Sequence, residues 1–335
     1  MARAGSSAAE TRASTASAGA LDRLFAGGPV LCDGAMGTML HSRGVSIDSC
    51  CDELNLSQPE TVASIHAEYL QAGAEIVETN TFGANCFRLA GCGLGGKVRE
   101  INLAGMRLAR QCVARIAAER GAAAYVAGAI GPLGVRLGPL GGVGLDEARA
   151  AFAEQIAALA EGGPGVGVDL LIIETMTSLA EAAEAIRAAH EVAPGLRVVA
   201  MVTVDENGRC LDGASAESAA ARLTQLGADV VGCNCSSGPA TGLSAIERMR
   251  TATSLPLAAM PNAGMPRVVE GRSIYDVSPE HMARFAGKFV EAGAGLIGGC
   301  CGTTPEHTRA MRTALCAIEV RQGGAARISG PVRAA

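Results

Sequence analysis

Short apolar runs with almost no polar interruption recur along the chain, and between them lie longer stretches whose apolar residues return every three or four positions. DLLIIE and RVVAMVTV are clear examples of the runs. A strand with one wet face alternates apolar and polar residues, whereas a strand covered on both faces reads as a continuous run, as in parallel sheets. Eight strands are predicted on this basis, at residues 30–33, 75–80, 124–130, 169–174, 197–204, 229–234, 257–261 and 295–299. The Ala-rich amphipathic stretches predict helices at 59–72, 98–120, 145–161, 180–192, 216–226, 242–250, 279–292 and 305–318. Eight strand–helix alternations predict a closed (β/α)8 TIM barrel, a single α/β domain over residues 21–320, with an open doubly wound sheet as the alternative. Gly-rich stretches at 91–96 and 138–144 read as loops after the second and third strands.

Barrels of this kind carry their chemistry at the C-terminal ends of the strands. The polar residues closing the predicted strands are Asp33, Glu78 with Asn80, Glu174, Asp205, Asn234 with Cys235, Asn262, and Cys300 with Cys301. The topology predicts that all of them converge on one mouth.

Among them, the segment GGCCGTTPEH (298–307) sets two adjacent thiols between glycines, and GCNCSSGP (232–239) offers a third, Cys235. Neighbouring strand residues point to opposite faces, so Cys300 and Cys301 can share an ion only from a turn past the strand end. Gly298, Gly299 and Gly302 are expected to supply the freedom for that turn. Three thiolates with one open position are a zinc site able to take up and activate an incoming thiol. Ordinary buried thiols, or a closed structural zinc site, are the alternatives. A closed site needs a fourth strong ligand, and no CxxC pair or suitably spaced histidine is nearby; His307 reads as a surface or capping residue. Cys233, two residues before Cys235, is expected to face the same way and to pack in the barrel. The Cys50–Cys51 pair lacks flanking glycines and reads as incidental. A Schiff-base aldolase is disfavoured because the two lysines, Lys97 and Lys288, fall in predicted helical stretches.

Composition narrows the class. The net charge is −5 and no basic run appears, which disfavours nucleic acid as a partner. No apolar stretch approaches the length of a membrane span. Twelve unevenly spaced cysteines without a signal-peptide core suit a reducing, cytoplasmic setting. Residues 1–20, rich in Ala, Ser, Thr and Arg, read as a disordered tail, with organelle targeting as the alternative; 321–335 read as a flexible tail.

The motifs DGAMGTML (33–40), ELNLSQPETVASIHAEYLQAGAEIVETNTFGAN (53–85), GCNCSSGP, PNAGMP (261–266) and GGCCGTTPEH together resemble the homocysteine S-methyltransferase family. The likeness runs over about residues 28–318 and leans toward the homocysteine-binding module of cobalamin-dependent methionine synthases. It implies a barrel whose zinc is held by Cys235, Cys300 and Cys301. It also implies a weak fourth ligand that homocysteine displaces, for which Asn262 is the candidate; loop capping is the other reading of Asn262. Asp33 and Glu174 match the acidic positions that hold the homocysteine amino group, although each also suits a turn or helix-cap role. Residues 34–38, with Gly34, Gly37 and Thr38, would offer backbone N–H groups to the carboxylate, with Asn234 close by. The implied reaction is methyl transfer to the thiol of L-homocysteine, giving methionine. No folate or corrinoid module is expected after the barrel. The expected donors are therefore a methyl-corrinoid on another protein, S-methylmethionine or betaine. A zinc module of a multi-component corrinoid system, or an enzyme for another small thiol, are the alternatives.

Overall fold

The computed structural model describes residues 29–321, apart from 122, 139, 140, 270 and 271. Eight strands form one parallel sheet: Val30–Leu31 (β1), Ile76–Glu78 (β2), Tyr125–Ile130 (β3), Leu170–Met176 (β4), Arg197–Val202 (β5), Val230–Cys235 (β6), Leu257–Pro261 (β7) and Ala294–Ile297, the last of these β10 because a short antiparallel hairpin, Arg267–Val269 (β8) and Arg272–Ile274 (β9), precedes it. β1 pairs with β10, and the sheet closes on its other side through a parallel bridge between Cys32 and Ile76. Two backbone hydrogen bonds complete that seam, Asp33 N to Ile76 O (3.0 Å) and Glu75 N to Leu31 O (2.8 Å). The expected (β/α)8 barrel is therefore what forms.

The unbroken apolar runs are explained by two separate cores. Val30, Ile76, Leu170, Ile172, Val199, Met201, Val230, Met260 and Leu296 fill the barrel interior. Their chain neighbours Leu31, Val77, Leu171, Ile173, Val198, Val231 and Ile297 face the helices. Successive side chains alternate between two dry compartments, so neither parity can be polar.

The helices end where local chemistry ends them. Helix Pro59–Ala72 starts with proline in its first turn and stops at Gly73 (φ 108°), whose N–H returns to the Leu70 and Tyr69 carbonyls. Helix Val98–Arg120 stops at Gly121 in the same left-handed conformation. Ser215 and Ser278 cap the helices Ala216–Gln225 and Pro279–Glu291 by accepting from the N–H three residues on. Short helices at Gly37–Ser42, Leu54–Ser57 and Cys86–Gly91, and the hairpin, were not expected. Each is too short for apolar periodicity to show. The last helix, Pro305–Arg321, runs past the expected end at 318; the expected tail at 1–20 and residues 322–335 lie outside the described residues. No helix among the described residues is long and apolar enough to cross a membrane.

Candidate functional site

The thiols of Cys235, Cys300 and Cys301 meet at the C-terminal mouth of the barrel, all within 4.8 Å of one another, with Cys300 and Cys301 Sγ 4.0 Å apart. Strand parity alone would not have brought them there. Val230 and Asn234 point inward, so Cys233 and Cys235 should both point outward. Cys233 does, and is buried between sheet and helices rather than inside the barrel. Cys235 does not. Its φ is +61°, as is that of Ser236, a left-handed pair that non-glycine residues rarely adopt. This turn swings the Cys235 thiol onto the mouth and overturns the expectation that the two cysteines face the same way. Thr175 (φ 58°), at the end of β4, is the remaining non-glycine residue with positive φ among the described residues, and it too lines the mouth. Strained backbone thus gathers at the site.

Of the glycines around Cys300 and Cys301, only Gly302 takes a left-handed φ (79°), and a Cβ there would overlap the Tyr275 ring. Gly298 and Gly299 matter for close approach instead: side chains there would strike Cys32 and Thr303.

Sulfurs held about 2.3 Å from one ion at tetrahedral angles lie about 3.8 Å apart, so the three thiols fit a zinc ion with little adjustment. Their proton chemistry already favours one thiolate. The Cys300 and Cys301 thiols donate to Cys235 and hold its pKa down to about 3. Giving those hydrogen bonds to Cys235 pushes Cys300 well up and Cys301 up to about 12.

A cavity of about 530 Å3 opens beside the sulfurs, and four acids line it: Asp33, Glu78, Glu174 and Asp52. Burial pushes Asp33 up to about 8, with the nearby Glu174 adding to the shift. Burial raises Glu174 to about 7, with Cys235 contributing. Glu78 is pushed well up by burial, then by Glu174 and Asp33, and its Oε2 is buried without a partner. Buried carboxyls gathered in this way favour a cationic ligand. The Glu78 N–H donates to Asp33 Oδ2 (3.0 Å), which ties the first two together. Glu174 accepts from Asn234 Nδ2 at 2.8 Å, and Asn234 Oδ1 accepts from Thr175 N at 2.7 Å. Asn234 therefore holds the acid rather than lining the cavity itself.

Gly34, Gly37 and Thr38 line the cavity, and residues 34–38 are not one open turn: Gly37 begins helix Gly37–Ser42. Asn262 Nδ2 donates to Ser236 O (2.8 Å), and its Oδ1 is buried without a partner. Asp205 does not converge with the others. It is exposed and folds a local turn by accepting from the Asn207 and Arg209 N–H groups, because β5 ends three residues before it. Asn80 serves the rim, donating to Cys51 O (2.7 Å) and Asn55 Oδ1 (3.1 Å). Cys50 and Cys51, read as incidental, form part of the cavity wall. His307 is buried, not a surface residue. Its Nδ1 accepts from the Thr304 N–H at the helix start and its Nε2 donates to Val277 O (2.8 Å), which is the capping role. Lys97 and Lys288 both lie away from the mouth, in a 3-10 turn and a helix.

A homocysteine S-methyltransferase family profile matches residues 30–315. The chain belongs to the homocysteine S-methyltransferase family. Methionine synthases of Mycobacterium tuberculosis and Mycobacterium leprae are each 34% identical to it, over 301 and 294 residues. Those alignments cover 86% and 84% of this chain but 24% of each relative, so the chain spans about a quarter of the length of the curated relatives it matches. The Escherichia coli homocysteine methyltransferase MmuM, in its metallated form, superposes with a TM-score of 0.72 at 25% identity, covering 85% of this chain and 96% of that one.

Proposed function

We propose that this family member transfers a methyl group to the thiol of L-homocysteine, giving methionine. The observation that carries the proposal is the opening of one cavity onto both three convergent thiols and a group of acids, which suits a small molecule bearing a thiol and an ammonium. Cys235, Cys300 and Cys301 would hold zinc, and the unpartnered Asn262 amide oxygen supports its candidacy as a weak fourth ligand. Bound there, the metal would supply Lewis acidity that favours the thiolate form of an added thiol.

Asp33 and Glu174, with Glu78 added, would accept hydrogen bonds from the substrate ammonium. The first N–H groups of helix Gly37–Ser42 would take its carboxylate, since Gly37 and Thr38 border the cavity. Asn234 would keep Glu174 oriented. A methyl-corrinoid protein, S-methylmethionine and betaine are the donors to compare. The 34% identity to methionine synthases supports a second reading, in which the barrel is the homocysteine-binding zinc module of a multi-component corrinoid methyltransferase.

The test is methionine formation from homocysteine with each donor, alongside metal analysis. Methionine formed with one of them, at one zinc per chain, is the expected result. Methylation of a different thiol with homocysteine inert would remove the proposal.

A further inference from the structure

A hydrogen-bonded brace ties the acid end of the cavity to the thiol end, and nothing in the family assignment calls for it. Thr303 Oγ1 donates to Cys300 O (2.7 Å) and accepts from the Ala35 N–H (3.1 Å), two residues past Asp33. Tyr69, fully buried on helix Pro59–Ala72, places its hydroxyl 2.8 Å from Ala35 O and 3.0 Å from Thr303 O. Gly299 N–H donates to Asp33 O (3.0 Å), and Gly302 N–H to Thr38 Oγ1 (3.2 Å). The fit is close: a Cβ on Gly34 would lie 2.5 Å from Thr303 Oγ1 and 3.1 Å from the Tyr69 hydroxyl, and a Cβ on Gly299 would lie 2.5 Å from Thr303 Oγ1. Three segments far apart in sequence are thus locked by two buried hydroxyls.

We propose that Tyr69 and Thr303 are positioning residues that fix the spacing between the Asp33 carboxyl and the Cys300 thiol, so that a single small molecule engages both with its ammonium and its sulfur. Neither hydroxyl lines the cavity. Their effect on a ligand is indirect, through the two loops they join. Linked interactions gain over separate ones only when the spacing is held, since misplacement returns the entropy that pre-organisation saves. Loosening the brace therefore weakens a ligand that uses both ends and leaves one that uses only the sulfur end unaffected. A general loss of packing would weaken both alike.

This inference rests on the proposed homocysteine site, and the experiment separates the two. Zinc-loaded wild type, Thr303→Val, Thr303→Ser and Tyr69→Phe are titrated calorimetrically with homocysteine and with 1-propanethiol, which keeps the thiol but lacks both the ammonium and the carboxylate. Zinc content is checked in each protein. In wild type, homocysteine is expected to bind at least tenfold tighter. In Thr303→Val and Tyr69→Phe that preference is expected to fall to about threefold or less while 1-propanethiol binds as before, and Thr303→Ser should restore it. Two variants reach the brace from opposite sides, so either one that folds and keeps its zinc decides the matter. If neither does, the preference is read in Thr303→Ser and in Gly34→Ala, whose methyl group pushes on Thr303. An unchanged preference in the variants, or equal weakening of both ligands, overturns the brace while leaving the homocysteine site intact. No preference in wild type overturns both.

Discussion

Asn234 Nδ2 donates to Glu174 Oε2 at 2.8 Å and lies 3.9 Å from Cys300 Sγ, so one amide touches both the acid and the thiol sides of the mouth. Its other atom accepts the N–H of Thr175, a residue in left-handed conformation. Asn234→Ala leaves that N–H without its partner and leaves Glu174 Oε2 only the Thr175 hydroxyl, at 3.3 Å. A loss of about 1–3 kcal/mol in stability is expected for each group left unsatisfied in a buried site. Thermal or urea unfolding measures it, and a variant as stable as wild type would show that the amide is dispensable.

Cys235→Ser, Cys300→Ser and Cys301→Ser should each remove most of the bound zinc, because a hydroxyl does not replace a thiolate in a soft donor set. Cys92→Ser, at an exposed position outside the cluster, should keep it. Elemental analysis of the purified proteins gives the answer directly. Equal zinc in Cys92→Ser and Cys300→Ser would place the ion elsewhere.

The raised pKa of Asp33, to about 8, has a defined sign in stability. The folded state holds a proton that the unfolded state has released above about pH 4, so wild type loses stability as pH rises from there toward 8. Asp33→Asn has no such term. In ligand-free protein the variant should therefore gain on wild type between pH 5 and 8, and the gain should level off above 8. Denaturation at a series of pH values tests this, and a difference independent of pH would contradict it.

His66 has the opposite sign. It is fully buried, neither ring nitrogen has a partner, and burial lowers its pKa to about 4. Wild type should lose stability as pH falls below about 6.5, where the unfolded state takes up a proton that the fold refuses. His66→Leu should gain on wild type over pH 7 to 4. The same unfolding series reads it, and parallel curves for the two proteins would count against it.

Gly232 lies in β6, three residues before Cys235, where a Cβ would come 2.1 Å from the Ala258 carbonyl oxygen of β7. Backbone cannot yield as a flexible side chain does, so Gly232→Ala should cost at least the ~1–3 kcal/mol typical of overpacking. It should also weaken zinc retention by shifting β6. Unfolding and metal release in a chelator competition report the two effects separately. Unchanged values in both would mean that the sheet absorbs the methyl group.

How much was legible follows from which forces are local. Composition and periodicity determined the eight strands, their helices and the barrel, because burial on both faces leaves a mark on every strand residue: 257–261, 59–72 and 98–120 were read to the residue. The sequence also named Cys235, Cys300, Cys301, Asp33 and Glu174, since polar residues ending apolar runs stand out. Short helices such as Gly37–Ser42 and the rim hairpin left no such mark. Only tertiary structure decided that Cys235 parts from Cys233 and that Tyr69 and Thr303 lock two loops together. The physical reason is the same for both. Each depends on a backbone turn or a hydrogen bond between segments distant along the chain, and such contacts are fixed by where the closed barrel places its strand ends, not by the residues beside them.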